Sequence, residues 1–215
     1  RKQGSNDQTT LNFDPFYLIT GVSLIENLLY FTDNLNQPRE IDITKNYENP
    51  DPTTTIDGFT EEAILVIKKP PLSAPTFTLF TAAGDESFME ERFICFAYRW
   101  RYANNQYSAT SPFTKPAFIP NPFQFDSASY LNEGMTNSSN AALITYNTGG
   151  PLVVGIDLLF KESDSNVIKI IEKLNKNDLG LLNNRLEEFA FDSSKIFTIL
   201  PDSELLRLYD NVPLQ

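Results

Sequence analysis

The sequence predicts an all-β protein, most of it a two-sheet sandwich. Three observations carry this. Seventeen Phe and nine Tyr against two Met and one Trp favour strands over helices. Fourteen Pro and nine Gly spread along the chain fit many turns. Short runs of alternating apolar residues recur between clusters of Asn, Asp, Ser and Pro. The 215 residues suffice for one large domain or two small ones. With 41% apolar and 13% aromatic residues, the chain is not of the disordered class.

Residues 1–14 are polar and read as a mobile arm or an inter-domain crossing. Residues 15–46 read as short strands joined by tight turns. Val22 and Leu24 alternate, as do Leu28, Tyr30 and Thr32, while Asp33-Asn34 and Asn36-Gln-Pro38 supply turn chemistry. Residues 47–72 read as a linker. Pro50 and Pro52 exclude a regular helix there, Thr60 with Glu61 and Glu62 caps one helical turn, and Ile64–Lys69 runs extended into Pro70-Pro71.

Residues 73–200 form the second unit. Phe77 and Leu79 alternate with Thr76, Thr78 and Phe80. The strongest strand spans Arg92–Tyr102: Ile94, Phe96, Tyr98, Trp100 and Tyr102 share a core face, and Phe93, Cys95, Ala97, Arg99 and Arg101 share the other. Ala103–Gln106 is a hairpin turn, and Tyr107–Pro112 begins the return. Residues 119–140 are a long insertion rich in Asn, Ser and Pro. Strands resume at Ala141–Asn147 and Val153–Lys161, with Val154, Ile156, Leu158 and Phe160 on one face of the latter. Glu162–Asn166 turns the chain, and Val167–Leu174 returns. Residues 178–192 fit helix and strand alike, and Ile196–Leu200 reads as a strand. In 201–215, Asp202 or Ser203 caps a short helix through Tyr209 before a return segment at Pro213. Seven or so strands at this spacing around a buried Trp predict a sandwich of the fibronectin type III kind.

The charge balance narrows function. A net charge of −11 and a pI near 4.5 oppose gripping nucleic acid through its phosphates. An acidic wall along which DNA slides without sticking fits, and so does charge kept for solubility. The chain has no His, which removes the commonest general base and metal ligand and any Ser-His-Asp arrangement. The lone Cys95 has no internal disulfide partner and reads as a small buried side chain. No apolar run is long enough to cross a bilayer as a helix, and no signal peptide is visible. Both ends read as cuts in a longer polypeptide.

Several residue groups invite chemistry, each with a plainer reading. Asp33 is a recognition candidate; as a turn residue, its carboxylate and the Thr32 hydroxyl bond backbone N–H groups. Glu162, Asp164 and Asn166, and Asn49, Asp51 and Asp57 with Gly58, invite calcium but lack the spacing of an EF-hand loop. Arg99 and Arg101 among Tyr98, Trp100 and Tyr102 suggest a stacking surface, but a strand sends arginines and aromatics to opposite faces. The pairs Glu61/Glu62, Glu90/Glu91 and Glu187/Glu188 read as solvated faces rather than glycosidase carboxylates. Asn137-Ser-Ser139 fits the N-glycosylation pattern. No catalytic, cofactor-binding or metal residue is expected, and no small-molecule substrate.

Three stretches in order carry a resemblance. Leu28-Leu-Tyr-Phe-Thr-Asp-Asn34 with Gln37-Pro-Arg-Glu-Ile-Asp-Ile43 resembles the strand pair of β-propeller-like blades. Glu61–Pro75 followed by Phe93–Pro112 resembles a linker leading to a "YRYxYxxGxYSxxSP" strand pair. Gly155–Ser165 and Leu206–Pro213 resemble later landmarks. Together they are similar to tail muzzle or nozzle proteins of crAss-like and related short-tailed bacteriophages. Phe31 stands where the blade pattern has Trp, and Asn105 where the turn has Gly. The blade pattern occurs once, too little for a complete propeller.

The resemblance implies an all-β virion structural protein: a propeller-like blade segment (15–46) before a fibronectin type III-like β-sandwich (73–200). It implies a place in the virion tail around the genome-ejection channel. The partners would be other copies of the chain in a homo-oligomeric ring and neighbouring tail proteins, with DNA passing non-specifically. It implies no enzyme activity and no cofactor. Two other classes fit the residues. One is an extracellular adhesion or glycan-binding module using Phe118, Phe123, Phe125 and Tyr130; the other is a domain of a carbohydrate-active enzyme.

Overall fold

The computed structural model describes residues 10–45, 60–83, 88–192, 198–201 and 204. They form antiparallel sheets with little helix, and the chain divides into two compact units between Lys69 and Pro70.

The first unit is a three-stranded meander: β1 (Gly21–Ile25), β2 (Leu28–Thr32) and β3 (Arg39–Asp42). Register places Val22 opposite Phe31 opposite Arg39, and Leu24 opposite Leu29 opposite Ile41, so these six share one face. Phe13 lies on Phe31 with ring centroids 5.9 Å apart. The buried Arg39 guanidinium donates through Nη1 to Leu11 O. The end of the expected polar arm therefore packs on the sheet. The other face carries Glu40, buried and bonded at 3.0 Å to Lys68. Thr60 caps the single turn α1 (Glu61–Ile64), its hydroxyl accepting from Ala63 N, and Leu65 bridges to Arg39. Residues 60–69, read from sequence as the end of a linker, thus close over β3. All five residues of β1 are exposed.

In the second unit, β5 (Ile94–Tyr102), β9 (Val153–Glu162), β10 (Lys169–Asn175) and β12 (Thr198–Ile199) make a four-stranded sheet in the order β12-β10-β9-β5. Strands β4 (Thr76–Phe80), β8 (Ala141–Asn147) and β11 (Leu186–Phe191) make a three-stranded sheet in the order β11-β8-β4. Two-residue strands β6 (Phe125–Asp126) and β7 (Leu131–Asn132) pair inside the insertion. Asn105 takes φ +56° at the hairpin turn, a conformation Asn tolerates better than most residues.

The two larger sheets share one core. Phe96, Tyr98, Ile156, Leu158 and Phe160 meet Ala142, Ile144, Tyr146 and Phe191, with Phe191 against Phe96 at 5.3 Å and Phe160 at 5.7 Å. Trp100, half-buried, packs on this core and donates its indole N–H to Asn147 O at 3.0 Å. The segment that sequence leaves open between helix and strand, residues 178–192, contains turns followed by β11. The outer face of β5 and β9 is also covered: Ala97, Leu159, Ile168, Ile170 and Leu200 form a second cluster with Phe113. The short helix expected within 201–215 lies outside the described residues, of which Pro201 and Glu204 alone belong to that stretch.

The return after the hairpin is not a second regular strand. Residues 107–117 run beside β5 with a three-residue period. The N–H groups of Ser108, Ser111, Thr114 and Ala117 donate to the carbonyls of Trp100, Tyr98, Phe96 and Ile94 at 2.7–2.9 Å. In return the N–H groups of Trp100, Tyr98 and Phe96 each donate at 3.0 Å to the hydroxyls of Ser108, Ser111 and Thr114. Side-chain oxygens replace the carbonyls of a normal ladder, so the edge of β5 is satisfied although Pro112 and Pro116 interrupt the return.

Candidate functional site

Most of the groups singled out from sequence resolve into structure. Asp33 is buried and accepts from Leu35 N, Asn36 N and Asn36 Nδ2 at 3.1, 2.8 and 2.6 Å. Burial pushes its carboxyl pKa up, but these hydrogen bonds and nearby Arg39 outweigh it and hold the pKa below the usual value. Thr32 takes no part in that turn; its hydroxyl faces that of Thr20 at 3.4 Å.

Glu162 is held by Arg92 and Lys169 at 3.2 and 3.1 Å. Asn49, Asp51, Asp57 and Gly58 lie outside the described residues. Among the described residues no three metal-ligating side chains converge, and no helix is long and apolar enough to cross a membrane. Glu61 and Glu62 occupy the first turn of α1, Glu90 and Glu91 sit in a turn, and Glu187 and Glu188 alternate along β11.

The two arginines of β5 do face away from Phe96, Tyr98 and Trp100. Arg99 is buried against Asp157, reaches Glu204 at 2.5 Å and lies 3.9 Å over the Tyr107 ring. Arg101 lies over Gly155, where a Cβ would stand 2.4 Å from its Nη2. Lys176 is likewise internal, its ammonium bonded to Gly149 O and Gly150 O at 3.1 and 2.8 Å. These groups hold the fold together.

The insertion is different. It is a built finger whose two sides are laced along their length. Ser138 N donates to Ile119 O at 2.8 Å, Asn121 N to Thr136 O at 3.0 Å and Glu133 N to Gln124 O at 2.8 Å, before β6 and β7 carry the chain to the tip. Asn137 anchors the base: it is buried, donates through Nδ2 to Ala117 O at 3.0 Å, and accepts from Ile119 N at 3.1 Å. The glycosylation-like Asn137 is thus consumed internally. Gly134 allows the two sides to meet, since a Cβ there would lie 2.0 Å from Pro122 O.

This ordered scaffold presents apolar side chains to solvent. Phe123 is 75% exposed and Tyr130 80% exposed, with Ile119, Phe125, Leu131 and Met135 also exposed. The Phe125 and Tyr130 rings meet edge to face at 6.3 Å. Tyr130 holds φ +57°, a strained value for a bulky residue. Phe118, grouped with these from sequence, is instead half-buried on Phe93 at 4.5 Å. Residues 118–140 contain two charges, Asp126 and Glu133. Both carboxylates are taken up locally, by Ala128 N and Ser129 N at 3.0 and 2.9 Å and by Gln124 Nε2 at 3.1 Å. A surface poor in charge and rich in aromatic residues and Met has the composition of an interface centre.

No protein-family model matches the chain, and no curated protein matches it in sequence.

Proposed function

We propose that this chain is a virion structural protein, part of the tail of a short-tailed bacteriophage of the muzzle or nozzle kind, acting through subunit assembly around the genome-ejection channel. The observation that carries this reading is the finger of residues 119–138. A scaffold laced at every level holds large apolar groups in water, where they add nothing to the fold, so their use lies in contact with another molecule.

The ordered landmarks of the sequence support the same reading. The first coincides with the β2–β3 pair, the second reaches β5 with its hydroxyl-laced return, and the third begins on β9. The net charge of −11 suits a wall along which DNA passes without being gripped.

The fibronectin-like reading of the second unit draws on its strand neighbours. In an immunoglobulin-type sandwich A-B-E share one sheet and C-F-G the other. Here β4-β8-β11 would take the first set, and β9, β5 and residues 107–117 the second. The chain enters its F–G pair before B, an order of connection such sandwiches do not have.

The exposed Phe125–Tyr130 pair also favours a second reading, an adhesion module stacking its rings on a glycan. Quantitative mass spectrometry of purified particles tests the first reading. The parent protein present in many copies per particle supports it; absence from particles, with binding on a glycan array, supports the second.

A further inference from the structure

We propose that two copies of this chain pair edge to edge through β4, antiparallel about a two-fold axis at Thr78, so that their three-stranded sheets become one sheet of six. This goes beyond the virion reading and does not depend on it.

Among the described residues, the edges of the two larger sheets end differently. Residues 107–117 cover β5. Strand β12 is two residues long. Strand β11 carries Glu187 and Glu188, and charge keeps an edge from pairing with another chain. Strand β4 has none of these guards. It is the last strand of its sheet, and Thr76-Phe-Thr-Leu-Phe80 holds no charge, no Pro and no Gly in a run rich in strand formers.

The core is also unfinished at this edge. Phe77 and Leu79 pack against the shared core, with the Phe77 ring 6.0 Å from that of Phe96, yet both are only partly buried. Phe80, on the outer face, is 38% exposed. A further strand beside β4 would cover the open sides of all three. Strand β1 is uncharged too, but all five of its residues are exposed and none belongs to the two buried clusters.

The sequence of β4 complements itself in one register. With Thr78 opposite the partner's Thr78, Phe77 falls opposite Leu79 and Thr76 opposite Phe80. The inner side then pairs apolar with apolar, and no charge within β4 meets another. The contact uses up both edges and so stops at two copies, while the glutamates of β11 guard the far ends of the joined sheet. Five residues are few against the ~800 Å² per partner of a standard interface, so the dimer is a weak one. A larger ring needs a further contact, such as the finger's.

Disulfide trapping in air on the 215-residue chain tests this. Directly opposite residues of antiparallel strands have Cβ atoms about 4.5–5.5 Å apart, near the reach of a disulfide. The native Cys95 is buried and does not compete. Thr78→Cys should oxidise to a covalent dimer about tenfold or more faster than Ser23→Cys, a solvent-facing thiol on β1. Thr76→Cys and Phe80→Cys should each cross-link slowly alone and quickly when mixed, because only the mixture sets two thiols opposite each other.

A Thr78→Cys chain that cross-links no faster than Ser23→Cys, or a mixture no faster than its components, would overturn the pairing. The four substituted side chains are exposed, so folding should be kept. Should Thr78→Cys melt lower than the wild type, the mixture decides by itself. Particle composition is measured separately, so failure of this pairing and failure of the virion reading are distinct results.

Discussion

Arg99 and Asp157 stand directly opposite each other on β5 and β9, both buried, with Arg99 Nε and Nη2 on one oxygen of Asp157 at 3.1 and 2.9 Å. The other oxygen, Oδ1, has no hydrogen-bond partner among the described residues. Breaking such a pair leaves an uncompensated charge indoors, whereas replacing both members can be neutral. Arg99→Met alone, which strands the fully buried Asp157, should cost about 3–5 kcal/mol in urea denaturation, and Asp157→Leu alone less, because Glu204 still pairs with Arg99. The double variant should recover most of that. A double variant as unstable as the worse single would show that the pair is needed for more than charge balance.

Ser111 links the two unlike backbones at the edge of the four-stranded sheet. Its hydroxyl accepts from Tyr98 N and donates to Pro112 O, each at 3.0 Å. Ser111→Ala leaves the Tyr98 N–H buried without a partner, which should cost about 1–3 kcal/mol. Amide hydrogen exchange at Tyr98 should speed up in that variant, while β8 keeps the wild-type pattern.

Tyr146 gives the fold an alkaline limit. Burial, with Glu187 beside it, pushes its hydroxyl from 10.0 to about 12. Between those values the folded chain keeps a proton the unfolded chain has lost, so stability falls as pH rises. The loss is on the order of 2–3 kcal/mol, complete above about pH 12 and absent below about pH 10. Tyr146→Phe should flatten the dependence of the denaturation midpoint on pH across that window. Burial raises Tyr98 in the same direction, so a residual slope remains.

Gly134 tests whether the finger is a rigid device. Any side chain there collides with the backbone carbonyl of Pro122. Gly134→Ala should part the two sides of the finger, speed amide exchange at Glu133 and Gln124, and change global melting little. Unchanged exchange would mean the finger tolerates rearrangement and does not hold its aromatic tip in place.

What sequence made legible was whatever obeys a period of two. Strands β5, β8 and β9 were readable from their alternating large residues, and β5 and β9 form most of one core wall. Strand β11 was not, because Leu186 and Glu188 alternate outward from an edge strand, which mixes acidic and apolar signals. The return at Ser108, Ser111 and Thr114 escaped because its spacing of three has no place in a search for helix or strand. The partnership of Arg99 with Asp157 depends on the register of segments 58 residues apart. The insertion looked like a loop since Asn121, Asn132 and Asn137 are turn residues by habit; here they act as rungs and anchors. Its aromatics were visible, but only the ordered finger distinguishes Phe123 and Tyr130 in solvent from Phe118 against Phe93.

Imaging intact particles at a resolution that shows strands, and searching the density for the two facing sheets and the finger, tests the assembly reading most directly. Repeated copies around the tail channel, each finger in contact with a neighbouring molecule, is the expected result. Particles without this density, or fingers pointing outward into solvent in every copy, would contradict it.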